Sequence, residues 1–218
     1  MIDNNRSIKL NNFEEYRNEI KYFLYRVSRK SLYVQYRLSS LLLSKSYPDR
    51  WVNNIYFDNT NFDLFYNSIE GISKRKKVRL RWYGNFQEMK NPVLEFKNKI
   101  GHKNIKESVV IKDKILDNNN FSALFKSLTE SKDLQKKHKY FLKELRPVLA
   151  NRYFRSYHSS ADNKYRVTTD TSLNFTNLIT GSLKIPYWKK PKDITIVEFS
   201  DFQCPFCERA ANGAIAEF

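Results

Sequence analysis

Segments in which a charged row alternates with an apolar row constrain the fold of this chain more than any other feature. The stretch KKVRLRWYG runs from Lys76 to Gly84, and successive side chains of a strand point to opposite faces. As a strand it would carry two contrasting rows: Lys77, Arg79, Arg81 and Tyr83 against Val78, Leu80 and Trp82. The same alternation places further charged pairs on single faces: Glu19 with Lys21, Glu95 with Lys97 and Lys99, and Arg166 with Asp170.

Most of the chain is predicted to be extended. Segments rich in β-branched and aromatic residues predict eight strands: Glu19–Tyr25, Trp51–Asp58, Lys77–Gly84, Pro92–Lys99, Ile105–Ile111, Asn151–His158, Lys164–Thr171 and Asp193–Ser200. Apolar residues spaced three and four apart predict helices over Tyr36–Ser46 and within Phe121–Leu145, before Pro147 ends the run.

The repeated charged rows bear on the architecture of the sheet. For one strand alone, a solvated outer face would explain the pattern, but its recurrence on many strands favours a closed sheet with one row facing a lumen. The apolar row would then face outward and be covered by the helices. We therefore expect an α+β fold, a closed antiparallel β-barrel with peripheral helices. A lumen lined by cations is costly when empty, which indicates an anionic ligand.

Charge and composition narrow the class of partner. The chain of 218 residues has 39 Lys and Arg against 23 Asp and Glu, a net charge of +16, so nucleic acid, a nucleotide, polyphosphate or an anionic membrane are the candidate partners. The longest apolar cluster, Leu38–Leu43, is too short to span a bilayer, and the amino terminus has no signal-peptide pattern. We expect a cytoplasmic protein. The three histidines are scattered, which gives a zinc site little support.

Several motifs, taken in order, resemble the VTC domain, the polyphosphate polymerase branch of the CYTH or triphosphate tunnel metalloenzyme superfamily. They lie between about Phe13 and Phe175: YRNEIKYFL, VNNIYFDNTNFDLFYNSIEG, KVRLRWYG, LEFKNK followed by IKESV, and YFRSYHSSADNKYRVTTDTSLNF. The resemblance implies a tunnel that binds ATP, triphosphate or polyphosphate and transfers the γ-phosphate of ATP to a polyphosphate chain. Related tunnels hydrolyse triphosphate, cyclise ATP or make thiamine triphosphate, so the fold does not decide the reaction.

The resemblance also implies roles for individual residues. It assigns catalysis to Arg79, Arg81 and Lys97, further phosphate binding to Lys21, Lys106, Arg155 and Arg166, and a Mn²⁺ or Mg²⁺ ion to Glu19, Glu95 and Glu198. Arginine grips phosphate oxygens with a planar fork and lysine acts as a point charge, so mixed rows suit adjacent phosphates. Phosphoryl transfer needs positioning and charge stabilisation rather than a protein nucleophile.

Two alternatives to these assignments stay open. Glu95 could serve only as an ion-pair partner of neighbouring cations. The basic segments, in which aromatic residues alternate with arginine, could instead form a non-catalytic module that binds polyphosphate or RNA, because bases stack on aromatic rings. Nucleic acid is the less favoured ligand.

The carboxy-terminal end departs from the family pattern. A strand over 193–199 supplies Glu198, but Ser200 stands where the family has lysine. From about Pro191 the sequence resembles the start of a DsbA-like thiol oxidoreductase, with Cys204 and Cys207 in CPFC. A segment this short cannot build a thioredoxin fold. We expect a tunnel domain over 1–190, closed by the strand, and a tail over 200–218 that is either a fragment from fusion or truncation or an unusual carboxy terminus, and that has no part in phosphate chemistry.

Overall fold

The computed structural model describes residues 19–101, 103–112, 121–179 and 194–201. Eight strands and four helices follow one another in this part of the chain: β1 (Glu19–Tyr25), α1 (Arg29–Leu38), β2 (Ser44–Asp58), α2 (Asp63–Ile69), β3 (Lys74–Tyr83), β4 (Val93–Ile100), β5 (Lys103–Val110), α3 (Phe121–Glu130), α4 (Lys136–Lys143), β6 (Arg146–Ser159), β7 (Tyr165–Asn177) and β8 (Ile194–Asp201). The fold is α+β, and the eight predicted strands are present with shifted ends.

The strands form one sheet in the order β1-β8-β7-β6-β2-β3-β4-β5. All seven pairings are antiparallel. The longest strand, β2, lies in the middle and bends between Tyr47 and Arg50, where its register with β6 shifts. Pro48 lies inside this bend and has no N–H to donate to the ladder. Strand β8 lies between β1 and β7, so it links the amino-terminal strand to the rest of the sheet.

The sheet is strongly curved, but it is not closed. Burial and nearby cations, among them Lys21 of β1, lower the pKa of Lys77 on β3. In a flat sheet these two strands would be roughly 24 Å apart, because four strands lie between them and neighbours are spaced about 4.8 Å. The sheet therefore curls until the two lysines interact. No ladder joins β1 to β5 in the described residues, so the prediction of a closed barrel is wrong for this part of the chain.

One face of the sheet buries the apolar row. The main core combines Ile55, Val78, Leu80, Trp82, Leu94 and Phe96 of β2 to β4 with Leu124 and Leu128 of α3 and Leu142 of α4. A second core packs Leu32 and Tyr36 of α1 against Val167 of β7 and Val197 of β8. Helices α3 and α4 thus cover one part of the apolar face and α1 covers another part, as the alternation predicts. The charged row is left on the opposite, concave face.

The helices are where the sequence-based predictions were weakest. The predicted helix over Tyr36–Ser46 is wrong: α1 ends at Leu38, and β2 already begins at Ser44. Ser39 is extended and Leu42 is left-handed, with φ 46°, so the backbone leaves the helix despite its run of leucines. The predicted Phe121–Leu145 helix is split into α3 and α4. No helix in the described ranges is long and apolar enough to cross a membrane.

Helix α2 was not predicted as a helix at all. Its amino-terminal amides are satisfied by Asp58, a buried residue at the end of β2. Oδ1 of Asp58 accepts from the Leu64 N–H at 3.0 Å, and Oδ2 accepts from the Phe65 N–H at 2.9 Å. The residue that precedes the helix, Phe62, is left-handed and has no capping side chain. The capping carboxylate is therefore four residues before the N-cap position, whereas sequence patterns for helix starts consider the N-cap residue itself.

Replacing Leu80 by Ala should test the assignment of the two faces. Leu80 is fully buried under the helices, so Leu80→Ala should lower the free energy of unfolding by about 2–5 kcal/mol in urea denaturation. Val34 on α1 is 57% exposed, so the matched change Val34→Ala should alter it by no more than about 0.5 kcal/mol. Equal effects of the two changes would contradict the placement of Leu80.

Candidate functional site

The concave face of the sheet forms a cleft lined by the charged row. We call cleft residues those that share a face with Arg79 and Arg81. Several interactions join strands that are not neighbours across this cleft: Nη2 of Arg81 on β3 lies 3.4 Å from the hydroxyl of Tyr153 on β6. The Lys21 charge also acts on Lys77, and the Arg81 charge acts on Asp170 of β7. Along β3 the residues of this face follow one another in the order Lys77, Arg79, Arg81, Tyr83. The order defines an axis for the cleft, with a lysine end and a tyrosine end.

Glu95 and Arg79 form the buried centre of the cleft. The Nε of Arg79 donates to Oε2 of Glu95 at 2.5 Å, and Lys106 Nζ lies 2.8 Å from Oε1. The side chain of Glu95 is 5% exposed. Burial would raise the pKa of Glu95, but Lys106, Arg79 and Arg81 together hold it at about 2. Both oxygens of the Glu95 carboxylate are therefore paired with cations, Arg79 and Lys106. This agrees with the alternative that Glu95 is an ion-pair partner of neighbouring cations.

Arg81 is held by neutral partners. Its Nε donates to Oδ1 of Asn54 at 2.9 Å, and Nη2 lies 3.4 Å from the hydroxyl of Tyr153. The amide of Asn54 in turn donates to Asn151 at 2.8 Å. These amides fix the orientation of the guanidinium without neutralising it. Neither Asn54 nor Tyr153 was singled out from the sequence, since only the strand register brings them to Arg81.

Three lysines lie side by side at the other end of the cleft. Lys97 of β4 is opposite Lys77 of β3 and Lys106 of β5 in the ladder. Residues directly opposite each other in adjacent strands have Cβ atoms about 5 Å apart, so the three side chains start from one patch, in which the Lys106 ammonium is paired with Glu95. Lys21 of β1 acts on Lys77 from across the cleft, while its own ammonium lies 3.4 Å from Glu198. The sequence placed Lys77 in the charged row, but Lys77 was not chosen as a site residue.

Arg155 has a carboxylate partner that the sequence-based assignment did not include. Nε and Nη2 of Arg155 donate to the two oxygens of Asp170 at 2.6 and 2.7 Å, a bidentate ion pair between β6 and β7. Burial raises the pKa of Asp170 and the charge of Glu198 adds to this effect, while Arg155 opposes both. Because Asp170 accepts through both oxygens, it is an ionised carboxylate here. Arg155 is thus largely neutralised.

The acidic residues predicted to bind metal are only partly brought together. Glu198 of β8 is close enough to Asp170 and Arg155 to affect their pKa values, and its Oε2 lies 3.4 Å from Lys21 Nζ. Glu95 is instead engaged by Arg79 and Lys106. Glu19 begins β1 opposite Ser200, and its side chain is outside the described part. The described residues contain no group of three or more potential metal ligands.

Arg166 lies at a different level of the sheet from Arg155. It is opposite Ser159 and Ser200 in the sheet. Along β7 it is four positions from Asp170, the residue opposite Arg155, which is roughly 13 Å of extended strand. On β8 its partner Ser200 is two positions from Glu198, so Arg166 lies close to the level of the Glu198–Lys21 pair. Cys204 and Cys207 lie outside the described residues, so the DsbA-like interpretation of the tail and the division at residue 200 stay predictions.

Solved structures define the class of fold. The chain superposes on a candidate adenylate cyclase from Bacillus halodurans with a TM-score of 0.50, at 14% identity over 92% of this chain and 88% of that one. A candidate adenylyl cyclase from Hippeastrum, described as having a dominant triphosphatase activity, gives 0.50 at 13% identity over 91% and 86%. At such identities the likeness concerns the fold alone, which is the curved antiparallel sheet that these proteins share.

The family follows from the sequence. The model of the VTC domain matches residues 8–203, so the chain belongs to the VTC domain family, and the resemblance seen in the motifs is confirmed. The match includes β8 and ends shortly after it. No curated protein matches the sequence significantly.

The ion pairs of Glu95 predict how stability depends on pH. An unfolded glutamate has a pKa near 4.3, and the folded value is about 2. Ionised Glu95 therefore stabilises the fold above about pH 4.3, and this stabilisation is lost as the pH falls towards 2. In urea denaturation, Glu95→Gln should be less stable than the unmodified protein at pH 7, by on the order of 2 kcal/mol. The difference in unfolding free energy between Glu95→Gln and the unmodified protein should become smaller at about pH 3.

Glu88 supplies the matched control for this experiment. It is an exposed glutamate paired with Lys90, and exposed pairs contribute little to stability. Glu88→Gln should therefore show a smaller difference from the unmodified protein at every pH. If the loss of unfolding free energy caused by Glu95→Gln is the same at every pH, or is larger in acid, the assignment of Glu95 as an ionised group inside the cleft is contradicted.

Proposed function

We propose that the cleft binds the triphosphate of ATP and transfers its γ-phosphate to a polyphosphate chain, with Mn²⁺ or Mg²⁺ as cofactor. The observation that carries this proposal is Arg81, which is fixed by Asn54 and Tyr153 but contacts no carboxylate in the described residues. A partly buried guanidinium held in this way is ready to donate its remaining N–H groups to an anion.

The charge along the cleft suits a chain of phosphates rather than a single one. Arg81 is followed by Arg79 and then by the lysine row, in which Lys77, Lys97 and Lys106 are in register. Every second residue of β3 therefore offers a cation, at intervals of roughly 6.7 Å. Arg79 is fixed by Glu95 and still has guanidinium donors beyond its Nε. The Lys77 pKa is lowered by burial and by neighbouring cations, a repulsion that a bound polyanion would relieve.

The acidic residues fit a hard divalent cation. Among the described residues Glu198 contacts only Lys21, through Oε2, so Oε1 remains for a cation, and the Asp170 carboxylate is near. Mg²⁺ is commonly held by one or two carboxylates together with substrate phosphates and water, which fits a site without a third protein ligand. A bound ion would neutralise part of the charge on the phosphate oxygens. Glu198 would be its principal ligand.

The protein side chains then supply positioning and electrostatic stabilisation. Arg81 and Arg79 would bind the oxygens of the transferred phosphoryl group, and the lysine row would hold the terminal phosphate of the accepting chain, which is the attacking group. No protein nucleophile is required, because phosphoryl transfer proceeds by in-line displacement between phosphate oxygens. Arg155 is already bound to Asp170, so we assign it to holding that carboxylate beside Glu198 rather than to gripping phosphate.

The test is to incubate the purified protein with ATP and Mn²⁺ or Mg²⁺ and to separate the products. Polyphosphate is the expected product. Arg81→Ala should lower its rate of formation about 100-fold or more, since a donor to a developing charge is lost, whereas Arg37→Ala should not change it, because Arg37 lies exposed on α1. Glu198→Gln should raise the metal concentration needed for half-maximal rate.

The other outcomes of this assay point to different functions. Orthophosphate as the only product would replace the polymerase by a triphosphatase that uses the same site. If neither product forms but tripolyphosphate raises the melting temperature, the domain is a binding module. A larger shift with single-stranded RNA than with tripolyphosphate, at equal phosphate and salt concentrations, would contradict the proposal and favour nucleic acid.

A further inference from the structure

The outer side of helix α2 carries exposed apolar side chains. Phe65 and Ile69 lie one helical turn apart, so they share one side of the helix, and they are 53% and 65% exposed. Tyr66 is exposed as well, and its ring lies beside that of Phe65 with centroids 5.5 Å apart. The residue of α2 that packs against the main core is Leu64. The other apolar side chains of this helix therefore belong to the surface.

Hydrogen bonds fix the turn that follows α2. Gly71 is left-handed, with φ 70°, and the Ile72 N–H donates back to the Asn67 carbonyl at 3.0 Å. This is a common way for a helix to end, and it brings the chain back towards the helix. Nη1 of Arg75 then donates to the Ile72 carbonyl at 2.9 Å. Ile72, which is also exposed, thus extends the apolar side of α2 on a hydrogen-bonded turn.

The turn between β4 and β5 adds an isoleucine and two lysines to this surface. The Gly101 N–H donates to the Ser73 carbonyl at 2.9 Å, which holds the turn against the start of β3. Ile100 is 50% exposed and is directly opposite both Lys74 on β3 and Lys103 on β5. Opposite residues have Cβ atoms about 5 Å apart. An exposed isoleucine is therefore flanked by a cation on each side.

Apolar and basic residues thus meet at one end of the sheet. We call the end surface the set Phe65, Ile69, Ile72, Ile100, Lys74 and Lys103. The sequence around it is strongly basic: Leu64–Lys77 has four cations and one carboxylate, Glu70, and Lys97–Lys106 has four lysines and no carboxylate. Such a surface attracts anions while it also presents apolar side chains to be buried.

We propose that the end surface docks the protein onto an anionic lipid bilayer. Peripheral binding is stable when apolar insertion and electrostatic attraction act together, whereas one alone is marginal. Phe65 and Ile69 would enter the boundary between headgroups and acyl chains, and Lys74 and Lys103 would lie among the anionic headgroups. Tyr66 suits this depth, because its ring is apolar and its hydroxyl is polar. The inference does not depend on the reaction proposed for the cleft.

The chemistry of the end surface favours a bilayer over two other partners. A second copy of the chain, docked about a two-fold axis, would bring the same lysines towards each other, and each copy carries a net charge of +16, so repulsion opposes this contact. A nucleic acid would pair with the cations, but isoleucines offer no ring on which bases could stack. A bilayer presents hydrocarbon and anionic headgroups together.

The test is flotation of the full chain with lipid vesicles. Vesicles of phosphatidylcholine and phosphatidylglycerol in equal parts should carry the protein up a density gradient, and vesicles of phosphatidylcholine alone should carry much less, because they lack the anionic charge. Phe65→Ser should lower the partition coefficient on the mixed vesicles about tenfold. Phe65→Trp should preserve it, because tryptophan is favoured at the membrane interface.

The basic residues are tested in the same assay. Lys74→Gln and Lys103→Gln should each lower the partition coefficient on the mixed vesicles about fivefold and leave the weak binding to pure phosphatidylcholine unchanged. Two matched variants lie outside the end surface. Leu38→Ser removes an apolar side chain that is 79% exposed at the end of α1, and Lys164→Gln removes an exposed cation from the turn between β6 and β7. Neither should change the partition coefficient.

Three results would overturn the inference. The first is that the unmodified protein does not float with the mixed vesicles. The second is that Leu38→Ser or Lys164→Gln reduces flotation as much as Phe65→Ser or Lys74→Gln does, which would place the contact elsewhere on the molecule. The third is a dimer, seen by sedimentation without lipid, that Phe65→Ser dissociates, since the end surface would then be a contact between two copies of the chain.

Discussion

The rest of the structure depends on how the concave face of the sheet tolerates its cations. Like charges at this spacing repel, and removing them from water costs several kcal/mol each unless they are paired. Glu95 offsets this cost for Arg79 and Lys106, and Asp170 does so for Arg155. These carboxylates allow arginines to lie partly buried inside a curved sheet. Without them the face would have to flatten and expose its charges to solvent.

The same pairs decide which cations are available to a ligand. Arg155 gives two donors to Asp170, and Arg79 gives its Nε to Glu95, whereas Arg81 is oriented by an amide and a phenol. Neutral partners fix a guanidinium without cancelling its charge, so Arg81 keeps its positive charge in the cleft, whereas Arg79, Arg155 and Lys106 each lie against a carboxylate. The carboxylates thus divide the arginines into those that are ion-paired, Arg79 and Arg155, and Arg81, which is held by neutral partners.

Alternation along each strand let the sequence predict the two faces of the sheet, because the side-chain period of a strand depends on the backbone alone. Leu80 and Arg79 could therefore be assigned to opposite faces. The partners of the arginines could not be predicted, since they depend on which strands are neighbours and in what register. Arg155 and Asp170 are 15 residues apart, and only the pairing of β6 with β7 brings them together.

The sequence-based predictions of the helices and of a closed barrel were wrong for a similar reason: each depends on contacts outside the segment concerned. The leucines after α1 have helical spacing, but Ser39 and the left-handed Leu42 turn the chain into β2, and the start of α2 depends on a carboxylate in the preceding strand. Closure of a sheet depends on the tilt and register of all its strands, which no single segment encodes. The alternating charged rows nonetheless predicted that the charged side chains face one another across a curved sheet. The curvature that brings Lys21 close enough to act on Lys77 agrees with this part of the prediction.

An open cleft differs from a closed barrel in how a ligand reaches the charged residues and in how far water is excluded from them. In a closed barrel, substrate could enter only through the ends, and the walls would exclude water from the phosphates. Here the described sheet leaves β1 and β5 unpaired with each other, so the charges of β1, β8 and β3 act across a gap rather than around a ring. A polyanion that contacts Lys21 on one wall and Arg81 and Lys77 on the other would draw the walls together. Ligand binding and sheet curvature are then coupled through the same repulsion that the carboxylates hold in check.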